Sequence, residues 1–444
     1  MEATTKNEAQ NFDAKKAVPV ILFFFLFALI IDNSFKLVSV DIAKDLGISA
    51  TTVSWQATLA GLVIGIGAVV YASLADSINI RTLLSAGVIF IVVGSIIGYL
   101  FRDNFAMILF GRIIQTAGLA SAETLYVIYV TKHLPKEEQK KFLGLSTSSY
   151  AMSLLIGSLT GGFISTYLHW TTLFLIALLA IAILPFILKL LPKEKSTKTH
   201  VDVIGLFLIA TIATTIMLYI SNFNWLYLIG FAIAIGLFLV YISKSSKALI
   251  DMTFFKNKRF ISTLPIVFIV YSIQLGYIFV FPFILDEIYS LKLDMISLLL
   301  IPGYIAAIII GALSGKIAKF FNSRQATLVA LGGIALALFI PGLFTESTVV
   351  VFVLSMIVFS GSFAFMYAPL LDTCIGTIPK EKTGTAIGFY NLVINVSASI
   401  GIAYTAAMLD SFEISNILII LSVIVGLTLI LFWFLSGKFE KEAN

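Results

Sequence analysis

AVPVILFFFLFALIIDNSFKLVSV, residues 17–40, decides what kind of molecule this chain is. It is longer than the ~20 mostly apolar residues that cross a bilayer core as a helix. It is also too long for the apolar core of a secretory leader, and no small-residue cleavage site follows it. The run therefore reads as a retained first span behind a polar tail, 1–16. Runs of the same kind recur at 53–73, 82–101, 105–130, 142–166, 171–191 and 202–221, and again at 224–243, 260–285, 295–315, 326–344, 347–371, 382–409 and 415–436. They are too long for barrel strands, and lipid offers no partner to unpaired backbone groups, so helices are the only plausible spanning form. The expected class is an all-α polytopic membrane protein with fourteen transmembrane helices.

Composition agrees. Hydrophobic residues make up 59% of the 444 and charged residues 12%, against about 25% charged in soluble domains. Such a chain cannot cover a water-facing surface. The lone cysteine, Cys374, excludes an intrachain disulfide. The net charge of +5 is explained by where the cations fall, not by a nucleic-acid partner. With the N-terminus inside, 24 of the 29 Lys and Arg lie on inner segments; Lys44, Arg102 and Lys292 lie outside, and Lys36 and Arg112 lie within spans. Cytoplasmic loops retain cations in this way, so both termini are expected in the cytoplasm. The chain then divides into a tail at 1–16, a six-helix bundle at 17–191, an extra hairpin at 202–243, a second six-helix bundle at 260–436 and a tail at 437–444.

Ionisable side chains inside a bilayer are costly and face a cavity or a partner. Asp32, Lys36, Arg112 and Glu123 are the informative ones. At the helical rise, Asp32 lies about 22 Å from the inner end of its span and Arg112 about 10 Å from the outer face, which are similar depths. A carboxylate beside a guanidinium stays ionised; parted from it in a dry site, it takes a proton. Lys36, one turn from Asp32 on the same face, is an alternative partner. Glu123 lies about 16 Å beyond Arg112, with no basic residue within four positions, which suits a proton or a cationic ligand. Asp286, Glu287 and Asp372 stand at span ends, where solvation is expected. Tyr126, Tyr129, Gln274, Asn391 and Asn395 are candidates for a substrate cavity, as are Tyr150, Tyr271 and Tyr277. Asn391 and Asn395, one turn apart, suit helix–helix hydrogen bonds equally well. Neither an H-E-x-x-H zinc pattern nor a G-x-x-x-x-G-K-[ST] phosphate loop is present, so an enzyme or a direct ATP-driven pump is a poor reading.

Several local patterns then resemble one family. Ala72-Ser73-Leu74-Ala75-Asp76-Ser77-Ile78-Asn79-Ile80-Arg81 is similar to the loop between spans two and three of major facilitator transporters, keeping Asp76 and Arg81 while Ala72 and Asn79 replace glycines. Gly315-Lys316 with Arg324 resembles a degraded second copy. Arg112-Ile113-Ile114-Gln115-Thr116-Ala117-Gly118 resembles the family's span-four pattern, and Gly157-Ser158-Leu159-Thr160-Gly161-Gly162 its antiporter signature, with Ser158 in place of proline. Ile31-Asp32-Asn33, His169-Trp170 with Phe174, Asp202-Val203-Ile204-Gly205 and Ala248-Leu249-Ile250-Asp251 look like the fourteen-span drug/proton antiporters, closest to Gram-positive tetracycline efflux pumps. The resemblance implies two six-helix bundles plus a central hairpin, and export of tetracycline and other amphiphilic drugs by alternating access. It implies proton coupling through Asp32, Arg112 and Glu123. Asp76 and Arg81 would be a conformational latch, and Gly157, Gly161 and Gly162 a hinge. No cofactor or metal is implied; the proton gradient supplies the energy, and the setting is a bacterial plasma membrane. A uniporter or importer for a lipid-like or metabolite substrate is the alternative within the same fold.

Overall fold

The computed structural model describes residues 14–75, 78–192, 202–245, 257–317, 320–378 and 383–443. Among them there is no strand. The first helix, α1 (Ala14–Leu37), ends earlier than the apolar run. A short amphipathic helix, α2 (Ser39–Leu46), follows, closed by Gly47 in the left-handed region at φ 61°, where glycine carries no Cβ penalty. Its face of Ser39, Val40, Ile42 and Ala43 is buried, while Asp41, Lys44 and Asp45 stand on its more open side.

The long helices then run α3 (Ala50–Ala75), α4 (Ile80–Leu100), α5 (Phe105–His133) and α6 (Lys136–Tyr167). The next span is built from α7 (Thr172–Ala177), a 3₁₀ stretch (Leu178–Ile183) and α8 (Leu184–Leu190). After it come α9 (Val203–Asn222), α10 (Trp225–Lys244), α11 (Lys258–Tyr289), α12 (Leu293–Ile317), α13 (Ser323–Leu343), α14 (Val349–Ile375), α15 (Thr383–Leu409) and α16 (Ile414–Ala443). Thirteen of these segments are long and apolar enough to cross a membrane. The fourteenth expected span lies in α6, 32 residues long. Ser146, Thr147, Ser148, Ser149, Ser153, Ser158 and Thr160, with four glycines, dilute its apolar character.

Contacts group the chain into two compact units that do not follow chain order. One holds residues 1–33, 66–157 and 171–201; the other holds 34–65, 158–170 and 202–444. In the first, α4 and α5 pack most closely. A Cβ on Gly94 would fall 2.4 Å from the Gly111 carbonyl oxygen, and one on Gly111 would fall 2.7 Å from that of Gly94. Small residues are what let two membrane helices approach this closely. In the second unit, α11 packs on α15, α14 on α12 and α13, and the α9–α10 hairpin rests on α15 through α9.

Candidate functional site

The tight α4–α5 seam places a polar network inside the first unit. Asp32 of α1 and Arg112 of α5 are each 1% exposed, and Arg112 Nη2 donates to Asp32 Oδ1 at 2.7 Å. The contact expected between Asp32 and Arg112 is thus formed. Arg112 Nη1 also donates to Gln115 Oε1, one turn along α5. Gln115 Nε2 donates to Ser95 Oγ of α4 at 2.8 Å, and Ser95 in turn donates to the Ile91 carbonyl at 2.6 Å. The guanidinium is thereby braced from a neighbouring helix. A cavity of about 10 Å³ touches Asp32, Arg112, Gln115 and Thr116, with Ile31 and Ile91 among its apolar walls. Such a volume is about enough for one water.

Charge pairs taken this far out of water are held by geometry and added hydrogen bonds, because desolvation offsets most of their attraction. Gln115 and Ser95 supply that geometry. Neither was among the residues expected here, although Gln115 stands at i+3 from Arg112 on the same face. Only the seam reveals Ser95.

The remaining candidates fall elsewhere. Glu123, half-buried, lies three turns along α5 from Arg112. Tyr126 is fully buried, its hydroxyl donating to the Phe142 carbonyl at 2.7 Å and its ring stacked on Phe25. Tyr129, also buried, lies against the His133 ring. Gln274 is half-buried on α11, and Asn395 Nδ2 donates to the Asn391 carbonyl at 3.0 Å along α15. Tyr150 is exposed on α6. Tyr271 packs against Tyr390 and Phe363, and Tyr277 hydrogen-bonds Ser355 at 2.9 Å. Glu123, Tyr126 and Tyr129 thus belong to one unit, Gln274, Asn391 and Asn395 to the other.

Asp76 lies outside the described residues; Arg81 Nη1 reaches the Leu191 carbonyl at 3.5 Å. Of the α6 glycines, Gly157 faces α1, where a Cβ would fall 2.8 Å from Asn33 Cβ, and Gly161 faces Ser34 just beyond. Gly162 faces Leu293 and Ser297 of α12. Of the span-end acids, Glu287 and Asp372 are exposed and Asp286 is less open. Asp286 is half-buried and pairs with Lys44 Nζ at 2.5 Å, and Asp372 Oδ2 accepts from Ser323 at 2.7 Å. Each found a partner on a helix distant in sequence.

The Major Facilitator Superfamily model matches residues 20–402. The riboflavin transporter RibZ of Clostridioides difficile is 23% identical over 399 residues, covering 88% of this chain and 87% of that protein. The quinolone resistance protein NorB of Staphylococcus aureus is 26% identical over 410 residues, 87% of this chain and 86% of that one. Among solved structures, the POT family transporter PepTSo aligns with a TM-score of 0.73 at 11% identity, over 97% of this chain and 99% of that one. The xylose transporter XylE from E. coli aligns at 0.64 and 13%, over 95% and 98%.

Proposed function

The chain belongs to the major facilitator superfamily, a multi-pass membrane transporter, and from that premise we propose that it exports amphiphilic drugs in exchange for protons. The observation that carries this reading is the dry Asp32–Arg112 pair braced by Gln115 and Ser95. With the guanidinium held on α5, a shift of α1 changes its distance from Asp32, and Asp32 then exchanges a cation for a proton. Alternating access then works as rocking of helices around a central site, with the close approach of Gly157 and Gly161 to α1 as the pivot.

In this reading both termini lie in the cytoplasm of a bacterial cell, the Lys44–Asp286 end faces outward, and no cofactor or ATP takes part. Glu123, a half-buried carboxyl on α5, is the group that meets a cationic substrate or a second proton. NorB supports drugs of the quinolone kind as substrates, and the motif resemblance supports tetracycline. A second reading, a carrier for a planar metabolite such as riboflavin, is favoured by the RibZ relative.

Proteoliposomes separate the two. Addition of tetracycline or a quinolone should release a proton flux that Arg112→Ala abolishes and Glu123→Gln reduces more for cationic than for neutral drugs. Drug equilibration without proton movement, or riboflavin uptake unaffected by Arg112→Ala, would instead establish the carrier.

A further inference from the structure

The second unit contains a cluster of titratable groups that the Asp32 site does not use. On α2, Asp41 is half-buried and its Oδ2 accepts from Ser165 Oγ of α6. One turn on, Lys44 reaches Asp286 of α11. Asp45 Oδ2 accepts from Trp170 Nε1 at 2.9 Å and lies 3.6 Å from His169 Nε2. Nearby, Tyr167 donates to Asp294 at 2.8 Å, and the Asp294 backbone N–H donates to Thr166 Oγ1 at 3.1 Å. The charged groups facing Asp41 are therefore Lys44 and Asp45 of its own helix, Asp286 of α11, and His169 beyond the end of α6. Lys44 is the one fixed cation among three carboxylates.

We propose that Asp41 is a second proton-binding site, separate from Asp32, and that its neutral form closes a latch made by Lys44 and Asp286. The electrostatics give the direction. Ionised, Asp41 competes with Asp286 for Lys44 and repels it; neutral, it leaves Lys44 and Asp286 as a balanced pair and keeps its hydrogen bond to Ser165. Burial is the strongest influence on Asp41 and raises its pKa, with Asp286 pushing the same way against the Ser165 hydrogen bond, Lys44 and His169. Because the pKa is raised, the closed form is favoured at low pH and is lost as pH rises through that value. A proton arriving from outside then shuts the outer end before the inner end opens, which is the order antiport requires. This order rests on the proposed orientation and coupling; the latch itself does not.

The test uses the full-length protein in nanodiscs without substrate or gradient, so a failed flux assay and a failed latch are told apart. With Cys374→Ser as background, spin labels at Ser49→Cys and Glu287→Cys, both exposed, report the separation of α2 and α11. The wild-type distance should lengthen as pH rises, the closed-to-open ratio changing by at most about tenfold per pH unit for one proton. Asp41→Asn should stay short at every pH, and Lys44→Ala long. Ser165→Ala, a milder change, should move the midpoint to higher pH, since it removes a donor that favours the carboxylate. An unchanged wild-type distance, an Asp41→Asn curve like wild type, or abolition of the shift by His169→Gln alone would each overturn the proposal.

Discussion

Two acid–base sites on α1 and its continuation, Asp32 and the α2 cluster, show how solvent access divides labour. Asp32 has a guanidinium at 2.7 Å in a space that admits about one water. Lys44 stands where water reaches it, its side chain 59% exposed, with Asp41 half-buried beside it. A dry pair has two states, joined or broken, separated by a large free energy. A wet cluster is graded, because screening and hydration soften every charge in it. The first suits a coupling step and the second suits sensing.

The largest contrast should come from breaking each pair on one side. Arg112→Ala leaves a buried carboxylate with its cation removed, a change worth about 3–5 kcal/mol, and should lower the melting temperature as well as end uphill transport. The double variant Asp32→Leu with Arg112→Leu should recover most of that stability while remaining inactive. Lys44→Ala should cost less than about 1 kcal/mol. Equal losses at the two sites, read by thermal unfolding in detergent, would erase the distinction.

Next in size is the seam. Gly111→Leu drives a side chain into the backbone of α4, an overpacking that costs about 1–3 kcal/mol. It should part Gln115 from Ser95, so substrate-dependent proton flux falls even though every polar residue remains. A small effect, comparable to that of Lys44→Ala, should come from Trp170→Phe, which loses one hydrogen bond to Asp45. The expected cost is about 1 kcal/mol, and the pH response of the α2–α11 distance should persist.

Much of this was legible in the sequence. Unbroken apolar runs allow only helices in lipid, and a fixed rise per residue put Asp32 and Arg112 at one depth before any contact was known. The end of α1 was not legible, because residues 38–40 are as apolar as those before them and only the turn at Val38 separates α2. Ser95 and Asp41 were missed for a different reason. Each is an ordinary polar residue until a distant helix brings Gln115 or Ser165 beside it, and no local pattern encodes that neighbour. The tyrosines show what residue type alone leaves open: Tyr126 suggested a cavity wall by chemistry, and its buried hydroxyl donates to a backbone carbonyl.

The 3₁₀ stretch Leu178–Ile183 bears on the length of its span rather than on the site. The span that contains it, Thr172–Leu190, has 19 residues, about 28 Å as continuous α-helix. Six residues at the longer 3₁₀ rise add about 3 Å, bringing the segment to about the thickness of a bilayer's hydrocarbon core. The stretch thus lengthens the segment by about 3 Å without adding a residue.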